Sequence, residues 1–265
     1  MAIIGVNPTM PGLAFVRRLE AVGFRAWPAS SVHYDGSWAV RLTASHPSRR
    51  LNSVNPLDPA DYENIENRIQ RIEKRFASYS RPLVFRMSPL APPPLQSYLD
   101  SAGWPRIDET AVLTGSLTDI DIDGAIDQLP LQDVGRFVDT SIRLNEDERV
   151  NKPGLTEVLE AIRPPYGMFI MEDDNGPIAC ALCVHDNDMA GLFNIAVRED
   201  KRSQGYGRSI VRTALRWAHG QGAHRAWLQV EQKNASALAL YKRLGFDEAY
   251  RYVYRTPTTA SASTS

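Results

Sequence analysis

Apolar residues recur at helical spacing, at strand spacing and in short unbroken runs along most of the chain, and their order predicts strands alternating with helices. Residues 11–23 (PGLAFVRRLEAVG) carry a helical stripe with Gly23 as the C-terminal stop. Two strand-like runs follow at 37–43 (SWAVRLT) and 51–57 (LNSVNPL), separated by the polar turn ASHPSRR. Over 58–79 the residues Tyr62, Ile65, Ile69, Ile72 and Phe76 fall on one helix face, with Asp58 as N-cap and Pro59 at the first helical position. A strand over 81–87, a helix over 92–104 ended by Gly103 and a strand over 108–117 complete a first unit that closes near residue 118.

The second half opens on acidic, polar sequence (TDIDIDGAIDQ), then predicts helices over 131–144 and 154–162, ended by Pro164 and Pro165. The turn residues DDNG between apolar runs at 168–172 and 177–185 read as a hairpin, and a third strand follows at 191–197. After the loop REDKRSQGYG come a helix to Gly220, a strand HRAWLQV, a helix ASALALYKRLG and a terminal strand FDEAYRYVYRT; the tail PTTASASTS is expected to be disordered. LVFRM followed by LQSYLDSAGW parallels AWLQV followed by LALYKRLGF at near-equal spacing, which suggests two related units in tandem.

Length and charge narrow the function classes. At 265 residues two domains are the better expectation, and 43% hydrophobic with 23% charged residues is ordinary globular composition. Thirty basic against 31 acidic residues exclude an extended basic face for nucleic acid. The amino terminus is broken by proline and has its positive charges on the wrong side for a secretory signal, so it reads as mature sequence; no apolar run is long enough to span a bilayer. With two cysteines read as buried strand thiols, Cys180 and Cys183, a cytoplasmic location is expected.

The chemistry concentrates at Arg202-Ser203-Gln204-Gly205-Tyr206-Gly207, a glycine loop between a strand ending at Val197 and a helix with Ile210, Val211, Ala214, Trp217 and Ala218 on its apolar face. Glycines admit a ligand close to the backbone, and the first amides of the helix are unsatisfied donors aligned with its dipole, so a pyrophosphate fits there. Neither a Walker-type Lys-Ser or Lys-Thr nor a G-x-G-x-x-G pattern is present. Downstream, strand 227–230 is followed by Asn234, by Tyr241 and by Leu244-Gly245-Phe246.

This order resembles the GNAT acetyltransferase superfamily over roughly 168–255, with the family's Q/R-x-x-G-x-G/A loop matched by Arg202, Gly205 and Gly207. The family proline shortly after the valine is absent, the chain reading Val197-Arg-Glu-Asp. The resemblance implies a mixed α/β (α+β) fold of two GNAT-like units in tandem, each a twisted mixed sheet flanked by helices. Residues 1–118 would form a degenerate unit without the pyrophosphate loop, and 119–256 the acetyl-coenzyme A (acetyl-CoA) unit. It further implies that the amides from Gln204 through Arg208, with Arg202 and Ser203, hold the pyrophosphate. Ile195, Ala196 and Val197 would run beside the pantetheine in a V-shaped gap between two strands, and the Val197 amide would serve the acetyl carbonyl. Asn234 would contact the cofactor, and Tyr241 would act as general acid at the leaving thiolate. His185 and Glu231, at strand ends, are the candidates for general base.

In the first unit Arg50, Asn52 and Ser53 resemble the R-x-N-S-V segment of two-part bacterial GNAT proteins and are candidate acceptor-binding residues. The expected activity is N-acetylation of a primary amine by direct attack, without metal, with acetyl-CoA and an amine acceptor as partners and neither nucleic acid nor membrane. A non-catalytic acyl-CoA sensor and an acyltransferase using a longer acyl-CoA are the alternatives. Monomer and homodimer are both open.

Overall fold

Strand runs and helices alternate as their periodicity predicts, but the strands of both halves assemble into one sheet. The computed structural model describes residues 12–145 and 151–258. Its helices are α1 Leu13–Ala26, α2 Ile65–Ser78, α3 Pro93–Ser101, α4 Val134–Asn145, α5 Lys152–Ala161, α6 Tyr206–Gly220 and α7 Ala235–Arg243. The strands are β1 Ser31–Asp35, β2 Trp38–Leu42, β3 Ser53–Pro56, β4 Phe85–Met87, β5 Arg106–Ser116, β6 Tyr166–Asp173, β7 Gly176–Asp186, β8 Met189–Val197, β9 Arg225–Glu231 and β10 Asp247–Arg255. Sheet order is β1-β2-β3-β4-β10-β5-β9-β8-β7-β6.

That order is palindromic. On one side β1, β2 and β3 are antiparallel and β3 meets β4 in parallel; on the other β6, β7 and β8 are antiparallel and β8 meets β9 in parallel. The two central strands are exchanged. β5, from the first half, lies against β9 of the second, while β10, from the second half, lies against β4 of the first, and β5 and β10 pair with each other. α1, α4 and α5 cover one face over a core that includes Val16, Leu19, Phe137, Leu159 and Trp227. The other face is covered by α6 and α7 on the second half and by α2 and α3 on the first, through Ile210, Leu215 and Tyr241 and through Ile72, Phe76 and Leu95. α1 also bridges the halves: Trp27, at its C-terminal end, stacks on Phe193 of β8 with centroids 5.4 Å apart.

Beneath α1, buried Glu20 accepts from Arg86 on β4 and from the Tyr250 hydroxyl on β10, and the Arg86 guanidinium lies 3.6 Å over the Tyr252 ring. Both Glu20 oxygens are met, one from each half, which offsets part of the cost of burying the charge, while Arg86 Nε is buried without a hydrogen-bond partner. Both cysteines are buried and free on β7, and burial pushes the Cys180 thiol up to about 12 and Cys183 higher still. No helix among the described residues is long and apolar enough to cross a membrane.

Several boundaries differ from the sequence reading. Gly23 does not stop α1; it sits inside the helix, which runs on to Ala26 across the ring of Trp227. Asp58 is no N-cap: its carboxylate accepts from Ala60 N in a local turn, the helix begins seven residues later, and Tyr62 is exposed. The strand over 81–87 shortens to Phe85–Met87, and β1 went unpredicted: it is a short edge strand whose alternating Val32 and Tyr34 are exposed and bury no face. Helix 154–162 starts two residues earlier, capped by the Asn151 side chain on Gly154 N. Most of the tail expected to be disordered lies outside the described residues.

Candidate active site

The parallel ladder between β8 and β9 runs from Met189–Arg225 to Leu192–Leu228 and stops, although β8 continues to Val197 and β9 to Glu231. The strands therefore part, leaving a wedge open between residues 193–197 and 229–231. A bulge in β8 accompanies the parting: its register against β7 slips between Leu182–Phe193 and Cys180–Ala196, with Asn194 at φ 46°. Beyond the bulge Arg198 N donates to Ile178 O at 2.7 Å. Amide directions alternate along a strand, so the Val197 N–H turns away from β7 and into the wedge.

The loop that follows is braced from below. Arg198 donates to Asp173 at 2.9 Å and to Asp200 at 2.7 Å, and Lys201 lies 3.4 Å from Asp173. The Arg198 hydrogen bond holds the Asp173 carboxyl down at about 2. Arg202 Nε donates to Val197 O at 3.3 Å, and Gln204 Nε2 to Asp200 O at 2.8 Å. Gly205, at φ +91°, then turns the chain into α6. Among the described residues, the backbone N–H groups of 203 through 208 donate no hydrogen bond. Six successive unpaired donors at a helix N-terminus form an anion cradle. Gly207 brings this cradle against α7: a Cβ there would lie 3.3 Å from Leu240 and 3.5 Å from Val197.

Tyr241 follows Leu240 and is 6% exposed, its ring edge-on to Phe246 at 5.9 Å. Burial raises its hydroxyl to about 12, so it is a proton donor at neutral pH. Asn234 caps α7, its Oδ1 accepting from Ala237 N at 3.1 Å, which leaves its amide nitrogen for any further contact. The loop, Val197 and Leu240 thus meet at one end of the wedge, while the Tyr241 ring packs on Phe246 one residue further along α7.

The two base candidates separate. Glu231 ends β9 at the wedge margin, half exposed and 2.8 Å from Lys233. His185, on β7, pairs with Ala190 of β8, at the opposite end of that strand from Val197, beside Phe24 and Pro165. Seven residues of strand at about 3.3 Å each put it roughly 23 Å away.

A cavity of about 500 Å³ lies on the β9 side of the wedge, lined by Gln229 and Glu231, by Thr110, Tyr252 and Tyr254, and by first-half residues that include Arg50 and Asn52. Asn52 builds the wall: Oδ1 accepts from Thr43 N, and Nδ2 donates to His46 O and Ser48 O. Ser53 is fully buried within β3 and does not line the cavity. Gln229, Tyr252 and Tyr254 were missed by sequence reading; the period-two tyrosines of YRYVYR and a lone amide in an apolar strand were their only signal.

The acidic segment after β5 was also unexplained by sequence. Arg212 donates to Asp121 O at 2.6 Å and Arg216 to Asp123 O at 3.2 Å, so arginines one turn apart on α6 strap the segment beside the cradle.

Residues 138–246 match the acetyltransferase (GNAT) family. The N-acetyltransferase YobR of Bacillus subtilis strain 168, itself uncharacterized, is 26% identical over 91% of this chain and 98% of its own. The alanine N-acetyltransferase of ribosomal protein bS18 from Escherichia coli K12 is 43% identical over 27% of this chain and 49% of its own, so the match spans about half of that enzyme. A solved tandem GNAT protein from the clavulanic acid biosynthesis pathway superposes with a TM-score of 0.60 at 14% identity, covering 90% of this chain and 86% of that one. The match over 138–246 identifies a GNAT acetyltransferase segment in the second half of the chain, where the splayed parallel pair and the unpaired amide cradle lie.

Proposed function

We propose that this acetyltransferase moves an acetyl group from acetyl-CoA to a primary amine by direct attack, within a unit spanning 119–256. The reading rests on one observation above all: six consecutive unpaired amides, 203 through 208, stand at the mouth of a wedge into which the Val197 N–H also points. The cradle suits a pyrophosphate, with Arg202 and Arg208 beside it, and the wedge suits an extended pantetheine alongside Ile195 and Ala196. Bound acetyl-CoA supplies the activated acyl group. Val197 N–H is set to donate to the acetyl carbonyl as negative charge builds there, and Tyr241, protonated by burial, to donate to the departing sulfur. Asn234 contributes its amide nitrogen to the cofactor. Glu231, at the wedge margin, is the better placed base, taking a proton from the incoming amine directly or through water.

In this reading residues 1–118 are a second, degenerate GNAT-like unit. Its parallel pair β3–β4 repeats β8–β9, but the stretch after β3 is LDPADYEN, which has no glycine, and its role is to wall the acceptor cavity. The two unpaired thiols agree with a cytoplasmic setting.

Isothermal titration with acetyl-CoA tests the site. Saturable binding by the wild type, lost in Gly205→Glu, supports it; no binding by a folded wild type overturns it. Binding with no transfer to any amine would instead favour an acyl-CoA sensor.

A further inference from the structure

The cavity beside the wedge carries three arginines against two carboxylates, and their engagements differ. Arg49 is paired with Asp108. Arg81 donates to Ala44 O at 2.7 Å and reaches the carbonyls of Thr43 and His46. Arg50 is half-buried, yet among the described residues its guanidinium makes no ion pair or hydrogen bond. Its own carbonyl is pinned by Arg41 Nη1 at 2.9 Å, which fixes the backbone from which the side chain extends. Its charge bears on Tyr252 and Tyr254, on the cavity wall, and on buried Arg41.

The remaining walls are equally specific. Tyr252 donates to Gln229 Oε1 at 3.0 Å, which orients the Gln229 amide, and its Nε2, near Gly23 of α1, donates no hydrogen bond among the described residues. Asn52 is consumed by the loop it holds, so it shapes the cavity without contacting an occupant through its amide. Glu231, at the wedge margin, is half exposed and shares one carboxylate oxygen with Lys233 at 2.8 Å. The cavity thus offers an unpaired guanidinium together with a carboxylate from the wedge margin. A volume of about 500 Å³ suits a small molecule.

We propose that the acceptor is a small amine that also carries an anionic group, held by Arg50 with Gln229 while Glu231 faces its amino end. The proposal rests on the acetyltransferase reading above and names the acceptor class for the same site. A guanidinium is suited to this because its planar donors engage a carboxylate or phosphate two at a time. The amine attacks the acetyl carbon, the carbon–sulfur bond breaks, the amine proton passes to Glu231 or water, and the thiolate takes a proton from Tyr241.

The test is a matched acceptor panel assayed with acetyl-CoA: each proteinogenic amino acid against its decarboxylated amine, and phosphoethanolamine against ethanolamine. The wild type is expected to favour anionic members at least tenfold in kcat/KM, the two pairings telling carboxylate from phosphate. Arg50→Met should erase that preference, mainly through KM, while acetyl-CoA affinity by calorimetry stays within twofold; Arg50→Lys should restore part of it. Equal or better use of neutral amines, no acetylation of any anionic member, or an unchanged preference in Arg50→Met would overturn the proposal. Loss of acetyl-CoA binding by the wild type would instead fail the underlying reading, so calorimetry separates the two.

Discussion

A phenol that is 6% exposed has lost most of its water, and that loss, with no charged neighbour, raises the Tyr241 hydroxyl to about 12. Tyr241→Phe should therefore lower kcat by roughly 10²-fold or more while acetyl-CoA affinity holds, measured by steady-state kinetics beside calorimetry. The pH dependence follows from the same shift. Between about pH 10 and 12 the unfolded chain has released this proton and the folded one keeps it, so Tyr241 stabilises below pH 10 and that contribution is lost as pH rises through 12. Urea unfolding at pH 9 and pH 11 should show a smaller alkaline loss in the phenylalanine variant. At this scale sequence was informative where backbone geometry demands a residue type: Gly205 could be picked out because φ +91° favours glycine. It was less informative where a role depends on which strand end meets which, and so His185 and Glu231 looked equivalent until the sheet separated them.

Elements depend on what they pack against, and Gly207 shows it. Its missing Cβ lets the first turn of α6 approach Leu240 and Val197, so a larger side chain displaces the cradle from the wedge. Gly207→Val is expected to weaken acetyl-CoA binding at least tenfold, by titration, with the fold retained by circular dichroism. At Gly205 a Cβ would meet nothing within 4 Å, so Gly205→Ala should cost only the backbone strain, about 1–3 kcal/mol. Element types were legible wherever one face was buried, as in α6 and the β6–β7 hairpin. Their ends were not, because α2 starts at Ile65 for tertiary reasons: Asp61, upstream, is occupied by Arg68 at 2.8 Å and by Ser37 N at 2.7 Å. The splay of β8 from β9 had no local sign, since a bulge at Asn194 leaves periodicity almost intact.

Across the whole molecule the exchange of β5 and β10 ties the halves together more strongly than the segment that connects them. That segment is accessible: Leu129 is 89% exposed. A protease site engineered at 127–129 and cut should give two fragments on a denaturing gel that elute as one species on size exclusion and keep acetyl-CoA affinity. Fragments that separate would show that the connection, and not the shared sheet, holds the halves. The repeat itself was visible in sequence as two similar strand–helix stretches, but exchange was not, because a strand's apolar pattern records that both faces are covered and not which neighbour lies beside it.

The shared centre of the sheet also sets a schedule for synthesis. When Ser116 leaves the ribosome, β4 and β5 have been made, but the strand that belongs between them ends at Arg255, roughly 140 residues later. At about 5–20 residues per second that is a wait on the order of ten seconds, during which one edge of β4 and both edges of β5 lack their neighbours β9 and β10 and stay open to any other nascent chain. Slowing translation between the halves is therefore expected to prolong the exposure of these edges and to raise chaperone capture of the nascent chain, measured by pull-down of stalled ribosomes.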